Sequence, residues 1–295
     1  MDGILNIYKE KGYTSHDVVA KLRGILRQKK IGHTGTLDPQ AEGVLPVCVG
    51  KATKLCDLLT EKEKGYIAVL RLGVETDTQD MTGTVLKEHP VHVTQEQVKE
   101  VIQSFLGNQM QIPPMYSALK IQGKKLYELA REGKVVERPP RPVVFYKIEI
   151  LEMKLPCVKI KVLCSKGTYI RTLCHDIGER LGCKGCMESL LRIQSGDFLL
   201  EDSLRLSRIE EQMQEGTLED SLISIEEVFK NLPFLKTRGE GDRLLHNGNP
   251  LNTSEAEGAQ QKGWVRAYDS RGSFVGIYQW KPDKRRFYPV KMFYS

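Results

Sequence analysis

Residues 32–50 read Gly-His-Thr-Gly-Thr-Leu-Asp-Pro-Gln-Ala-Glu-Gly-Val-Leu-Pro-Val-Cys-Val-Gly, and this stretch joins two unlike halves. Residues 32–39 are turn formers and small polar residues, whereas residues 44–49 are an apolar run that predicts a buried strand. The proline after Asp38 disfavours helical geometry at that residue, so its carboxylate is expected on a fixed, extended turn. An acid on a loop that a core strand supports suits a catalytic group, although Asp-Pro among glycines is also a common turn.

Length and composition indicate a soluble globular protein. The chain has 295 residues, with 40% hydrophobic and 28% charged residues, which allows one large domain or a large and a small one. No apolar run approaches the length of a membrane span, and Asp2, Lys9, Glu10 and Lys11 interrupt any signal-peptide core. We therefore expect no membrane association and a cytoplasmic location.

Net charge and cysteine content indicate which partners, compartment and metal sites to expect. The net charge of +6 is compatible with a polyanionic partner such as RNA. Seven cysteines without regular spacing indicate free thiols in a reducing compartment. Cys183 and Cys186 have the spacing of metal ligands, and Cys174 and His175 lie nearby, but a second closely spaced pair is missing. A metal site is therefore not expected.

Periodicity predicts a mixture of helices and strands. Thr14 and Ser15 offer an N-cap for a helix that continues to residue 27, and Thr94 with Gln97 forms a capping box for a helix over residues 94–106. Further helical segments are predicted at residues 52–59, 204–213 and 224–229, and residues 165–173 are predicted to open a helix that continues to residue 181. Strands are predicted at residues 3–8, 44–49, 64–73, 143–151, 158–163, 244–251, 264–268, 274–280 and 288–293.

Residues 108–142 differ from the rest of the chain. They are proline-rich, basic and aromatic, with one short predicted helix. A long insertion of weak regularity is typically a functional flap or a disordered segment. Aromatic residues among lysines and arginines can stack on unpaired bases while the cations contact phosphates.

Several of these stretches resemble the motifs of one family. Residues 32–50 resemble, without a break, the signature loop of the TruB family of tRNA pseudouridine synthases. Residues 12–19, 64–80, 165–173 and 189–193 resemble its other motifs in the same order. Two departures are Lys9-Glu10, where the family usually has Lys-Pro, and Leu190-Leu191-Arg192, where it often has Leu-Arg-Arg. The latter predicts that one basic contact is missing. Residues 266–276 and 289–293 resemble a PUA-type RNA-binding domain.

The resemblance implies a fold and a domain organisation. The expected class is α+β, a pseudouridine synthase fold with a mixed, mainly antiparallel sheet flanked by helices and a small C-terminal PUA-like β-barrel. Residues 1–231 would form the catalytic domain and residues 232–295 the PUA-like domain. Residues 108–142 would form a thumb-like RNA-binding insertion that is mobile without RNA.

The resemblance also implies an activity, the isomerisation of uridine to pseudouridine at position 55 in the T-loop of tRNA. The partner would be the T-arm stem-loop, and neither a cofactor nor a metal is implied. Asp38 would be the catalytic nucleophile. Arg171 would be its partner and is expected to lower its pKa by roughly 1 to 3 units. Tyr169 would be the base that removes a carbon-bound proton.

Substrate-binding roles follow from the same resemblance. Tyr66 would stack on the target base, although a core tyrosine is the alternative, and Leu190 would lie beside the substrate together with Tyr169. His33 would fill the space that the flipped base leaves, although a turn histidine bonded to its own backbone is the alternative. The thumb residues expected to bind RNA are Tyr116, Lys120, Lys124 and Arg131.

Two other functional classes stay open at this point. The same surface could belong to a non-catalytic protein that binds or folds tRNA. A metal-dependent hydrolase built on the cysteine cluster is the third class, and it would require stoichiometric zinc.

Overall fold

The computed structural model describes residues 1–121, 123–258 and 261–293. The α-helices are α1 Ser15–Ile25, α2 Cys56–Thr60, α3 Gln95–Gln103, α4 Leu126–Arg131, α5 Ile170–Arg180, α6 Leu206–Glu215 and α7 Gly241–His246. The first strands are β1 Gly3–Lys9, β2 Ile31–His33, β3 Glu42–Val49, β4 Lys64–Leu72, β5 Val74–Thr76, β6 Val85–Glu88, β7 Gly107–Gln111, β8 Lys120–Ile121 and β9 Lys124–Lys125. The others are β10 Arg141–Lys154, β11 Cys157–Cys164, β12 Gly185–Ser195, β13 Phe198–Leu199, β14 Phe234–Thr237, β15 Ala256–Glu257, β16 Trp264–Tyr268, β17 Phe274–Lys281 and β18 Arg286–Met292.

One large sheet organises the first two thirds of the chain. Its strands follow the order β1-β3-β12-β4-β11-β10-β7, with β2 paired to β3 and β13 paired to β12. The neighbours pair antiparallel except for β12 and β3, which are parallel. The α+β class and the mixed, mainly antiparallel sheet are therefore confirmed.

Local sequence signals account for where the helices begin. The Thr14 hydroxyl accepts from the Asp17 amide at the start of α1, and Thr94 accepts from the Gln97 amide at the start of α3. Both capping boxes are complete, because the Asp17 and Gln97 side chains accept in return from the backbone amides of Thr14 and Thr94.

The helices pack on the sheet through apolar faces. Val98 and Ile102 of α3 and Leu173 and Ile177 of α5 share a core with β4, β10 and β11. The α1 and α6 helices share a second core with β1 and β3. The start of α1 and the start of α5 both contact the segment that contains Asp38, through Ser15 and Arg171 respectively.

Gly43 permits the close contact between β3 and β12. Its φ is +104°, which L side chains rarely adopt, and a Cβ there would lie 2.1 Å from the carbonyl oxygen of Arg192. The glycine in the signature segment therefore brings the strand that follows Asp38 directly against β12.

Four predicted elements need correction. The segment predicted as a helix at residues 224–229 holds only a short 3-10 helix, Glu227–Phe229. Residues 52–59 are a 3-10 helix, Gly50–Leu55, followed by α2. The strand predicted at residues 244–251 is wrong, because α7 occupies the chain through His246 and only Leu251 bridges a strand residue. The predicted insertion at residues 108–142 includes parts of β7 and β10, which pair within the large sheet. Its remainder holds α4 and a hairpin of β8 and β9.

The C-terminal strands form a second sheet in the order β15-β14-β16-β17-β18. It packs against the rest of the protein: the Phe293 and Phe229 ring centroids lie 6.5 Å apart, and Lys54 Nζ donates to the Met292 carbonyl at 2.7 Å. Closure into a barrel and a domain boundary at residues 231/232 remain predictions. Among the residues that the structure describes, no helix has the length and apolarity needed to cross a membrane.

Candidate active site

Asp38 lies on the turn between β2 and β3, and backbone hydrogen bonds fix that turn. The Ala41 amide donates to the Asp38 carbonyl at 3.0 Å, which closes a turn with Pro39 at its second position. The Gly12 amide donates to the Pro39 carbonyl at 2.8 Å. The acid is therefore presented on a braced turn, as the Asp-Pro pair predicts.

Arg171, in the first turn of α5, holds the Asp38 carboxylate with two nitrogens. Its Nε lies 3.0 Å from Asp38 Oδ2, and its Nη2 donates to Asp38 Oδ1 at 3.4 Å. The guanidinium also donates to the carbonyl oxygens of Thr78 at 3.1 Å and Tyr116 at 2.8 Å. Only 5% of the Arg171 side chain is exposed, so this cation joins three chain segments around the acid.

Asp80 is a second carboxylate near the same arginine nitrogen. Its Oδ2 is 3.8 Å from Arg171 Nε. Its Oδ1 accepts from the Thr82 amide and hydroxyl and from the Thr78 hydroxyl. Arg171 Nε is therefore within 4 Å of two carboxylates, and the second carboxylate also orders the turn that supplies the Thr78 carbonyl.

The pKa of Asp38 is raised above its ordinary value, contrary to the lowering expected from Arg171. Desolvation in the cleft is the largest cause, and Asp80 adds repulsion, while Arg171 and then Lys9 oppose the rise. Although surrounding protein withdraws the carboxylate from bulk water, 39% of the side chain remains open on the cleft side. The acid is thus partly desolvated and still reachable by a substrate.

A cleft of about 1090 Å³ opens over this carboxylate. Six predicted site residues line it, namely Asp38, Tyr66, Tyr116, Tyr169, Arg171 and Leu190, and Arg131 reaches it from α4. The charge of Asp38 also contributes to raising the pKa of both Tyr66 and Tyr169. The structure therefore brings the acid and the two phenols into one cavity.

Tyr66 is buried on β4, with 8% of its surface exposed, and its phenol lies beside Arg192. The two residues are direct partners across β4 and β12. Burial raises the pKa of Tyr66, and the Arg192 charge opposes that rise. Arg192 also lines the cleft, is itself buried, and donates from its Nε to the Val44 carbonyl at 2.6 Å, so this basic residue joins β12 to β3 at the cleft wall.

Tyr169 precedes α5, and Gln111 fixes its backbone. The Gln111 side chain donates to the Tyr169 carbonyl at 3.0 Å and accepts from its amide at 2.8 Å. Desolvation raises the pKa of Tyr169. The nearby Ser117 hydroxyl opposes part of this rise, although no hydrogen bond of ordinary geometry joins that hydroxyl to a described partner.

Three predicted site residues lie outside the cleft lining. Among the described residues, the wall of the cleft does not include His33, whose Nδ1 accepts from the Gly35 amide at 3.3 Å. Burial lowers the pKa of this imidazole, which favours its neutral form. Lys120 and Lys124 are exposed on the thumb hairpin, away from the cavity.

Sequence reasoning did not assign Lys9, which lies beneath the Asp38 turn. It is fully buried, and its Nζ donates to the carbonyls of Tyr13 at 2.6 Å and Pro39 at 3.3 Å. Burial lowers the pKa of Lys9 to about 8, although Glu42 and Asp38 oppose the change. The contact that ties Lys9 to the Asp38 turn is with the Pro39 carbonyl, 30 positions away, which no local sequence pattern would reveal.

The cysteines are all free thiols. Within residues 1–121, 123–258 and 261–293, no group of three His, Cys, Asp or Glu side chains has an arrangement that could hold a metal ion. The Cys183 and Cys186 pair therefore has no third ligand in the part of the chain that is described.

Comparison with known proteins agrees with this geometry. Residues 23–170 match the profile described as TruB family pseudouridylate synthase (N terminal domain), and residues 171–230 match tRNA pseudouridylate synthase B C-terminal domain. The chain is 54% identical to tRNA pseudouridine synthase B of Lachnoclostridium phytofermentans, over 99% of this chain and 100% of that protein. It is 49% identical to the protein of the same name from Alkaliphilus oremlandii, over 85% of this chain and 83% of that protein.

Solved structures show the same fold. A Cbf5-Nop10-Gar1 complex contains a chain that superposes with a TM-score of 0.75 at 26% identity, over 99% of this chain and 84% of that one. A chain of the archaeal box H/ACA sRNP Nop10-Cbf5 complex superposes with a TM-score of 0.73 at 25% identity, over 99% of this chain and 86% of that one. By its matching profile and its full-length relatives, the chain belongs to the TruB family of pseudouridylate synthases.

Proposed function

We propose that this protein isomerises uridine to pseudouridine in tRNA, at position 55 of the T-loop. The observation that carries the proposal is the Asp38 carboxylate, held by Arg171 and open to a cleft that also contains Tyr66 and Tyr169. The names of the most similar relatives support the same activity.

A uridine within a folded loop must leave its stack before Asp38 can reach it. Extrusion costs a few kcal/mol, which contacts to the flipped base offset. Tyr66 and Leu190 line the cleft where the uracil would enter, and we assign them stacking and apolar contact with its ring. We assign to His33 the vacated position in the stack, which requires movement of its imidazole from the Gly35 amide.

The chemistry breaks the bond between the sugar C1′ and the base N1, turns the base, and joins C1′ to C5. The hydrogen on C5 leaves as a proton, and N1 takes up a proton, so the product is an isomer of the substrate. No electrons or phosphoryl groups are transferred, and the proposal therefore assigns no cofactor. Asp38 acts as the ionised carboxylate against the nucleotide, and Arg171 maintains its charge and direction.

We assign the removal of the C5 proton to Tyr169. Because burial raises its pKa, the phenol is uncharged near neutral pH. It can accept the C5 proton only while it passes its own hydroxyl proton to solvent in the open cleft. This requirement makes the final proton transfer sensitive to the position of the phenol.

We propose that the thumb and its cations bind the T-arm. Tyr116 and Arg131 reach the cleft, whereas Lys120 and Lys124 face solvent and suit phosphates further along the stem. We further propose residues 1–231 and 232–295 as the catalytic and PUA-like domains. A cytoplasmic location is also proposed, and the free thiols support it.

Incubating the protein with unmodified tRNA and mapping pseudouridine along the product tests the function. We expect one modified site, uridine 55, and the same modification in an isolated T-arm stem-loop. Tight tRNA binding without any product would favour the non-catalytic binding or folding protein. Product at another position would refute the assignment of the T-loop but not the isomerase activity.

A further inference from the structure

The segment between β1 and α1 holds the Asp38 turn on its downstream side. Gly12 and Lys9 both donate to the Pro39 carbonyl, at 2.8 and 3.3 Å. These bonds fix the chain after the acid. They do not fix the chain before it, where Asp38 follows Leu37.

Ser15 holds the upstream side. Its Oγ accepts from the Leu37 amide at 2.8 Å and donates to the Leu37 carbonyl at 3.4 Å. Ser15 is 1% exposed and Leu37 is 3% exposed, so both bonds lie away from water. A single buried hydroxyl thus contacts both polar backbone groups of the residue that precedes the acid.

Helix capping does not account for this hydroxyl. The Thr14 side chain accepts from the Asp17 amide at 3.0 Å, and the Asp17 carboxylate accepts from the Thr14 amide at 2.8 Å. The capping box of α1 is therefore complete without Ser15, whose side chain turns to the neighbouring loop instead.

We propose that Ser15 is a positioning residue for Asp38, which rests on the proposed catalytic role of Asp38. Without the hydroxyl, the Leu37 amide loses its buried partner and the loop must shift to find another. The Leu37–Asp38 peptide then moves relative to Arg171, which α5 holds independently. A displacement of about 1 Å at a reacting group reduces rates by up to about 100-fold.

The test compares Ser15→Ala with Thr94→Ala. Thr94 caps α3 and does not line the cleft, and its replacement, like that of Ser15, removes a hydroxyl that accepts from a backbone amide. With full-length protein and unmodified tRNA, Ser15→Ala is expected to lower kcat by about 10- to 100-fold, with little change in KM. Thr94→Ala is expected to leave both constants unchanged.

The pH profile separates positioning from general destabilisation. In Ser15→Ala the acid limb of kcat is expected to move to higher pH, because Asp38 is held less closely by Arg171. Ser15→Thr retains a hydroxyl and is expected to restore kcat and the profile. The proposal would be overturned if Ser15→Ala had the wild-type kcat and an unmoved acid limb. It would also be overturned if Ser15→Thr folded correctly and were still as slow as Ser15→Ala. If wild-type protein forms no pseudouridine, the proposed function fails instead, so the two failures are distinct.

Discussion

Replacing Arg171 with lysine perturbs the clamp on Asp38 while it keeps a positive charge. The guanidinium reaches Asp38 at 3.0 Å, the Thr78 carbonyl at 3.1 Å and the Tyr116 carbonyl at 2.8 Å. These groups lie on different segments, and they match a planar fork with donors in several directions. A lysine ammonium is a compact charge that cannot reach all three at once.

The expected loss of activity in Arg171→Lys follows from the hydrogen bonds that the substitution removes. Hydrogen bonds to charged groups contribute about 1.5 to 3 kcal/mol each, and loss of the two carbonyl bonds therefore removes about 3 kcal/mol at the low end. The contact with Asp38 is discounted, because 39% of that side chain is exposed. If the loss is expressed in the transition state, kcat falls about 100-fold.

The same substitution changes the pH dependence. The proposed mechanism uses Asp38 as an ionised carboxylate, so activity is expected to fall as the pH drops through the pKa of Asp38, which burial raises. Arg171 opposes that rise, and a less well placed lysine opposes it less. The acid limb of the Arg171→Lys profile is therefore expected at higher pH than that of the wild type.

Release of tritium from tRNA labelled at C5 of uridine measures this rate, because the C5 hydrogen leaves in the reaction. Arg180→Lys is the matched control, since Arg180 lies at the other end of α5 and stacks over the Phe105 ring at 3.8 Å. It should retain the wild-type rate and profile. A wild-type rate with an unshifted acid limb in Arg171→Lys would refute the clamp.

Three further substitutions test other parts of the account. Tyr66→Leu removes the ring to which we assign stacking on the base. Such stacking contributes about 1 to 3 kcal/mol, so kcat should fall about 10- to 100-fold. Tyr66→Phe keeps a ring and should retain more activity, and equal activities of the two variants would exclude stacking. Arg131→Ala should reduce the slope of log affinity against log salt by about 1, and an unchanged slope would remove Arg131 from the phosphate contacts. Phe293 is only 5% exposed and packs against Phe229, so Phe293→Ala should lower the free energy of unfolding by about 3 kcal/mol. Urea unfolding measures this, and a change near zero would contradict the packing.

The sequence predicts the helix starts well, because the hydrogen bonds that cap a helix join residues close together in the chain. Thr14 and Thr94 cap helices through side chains three residues away, and both helices begin where predicted. The segment at residues 244–251 was mistaken for a strand, because its leucines and glycine suit either structure. There the tertiary packing of Leu245 in the C-terminal core decides for a helix.

The candidate site was only partly predictable, because its support comes from distant residues. Ser15 meets Leu37 across 22 positions, and Lys9 meets Pro39 across 30. The burial of Arg192 beside Tyr66 results from the pairing of β12 with β4, and the Leu190-Leu191-Arg192 stretch alone does not indicate it. The raised pKa of Asp38 depends on desolvation in a cleft that only the folded chain creates.

Asp38→Asn tests the central claim most directly, because it keeps the shape of the side chain and removes the carboxylate. Asp57→Asn serves as the control, since Asp57 is exposed on α2 and does not line the cleft. Single-turnover assays on unmodified tRNA, with binding measured in parallel, are expected to show no pseudouridine from Asp38→Asn despite wild-type tRNA affinity. Pseudouridine formation by Asp38→Asn at the wild-type rate would contradict the account.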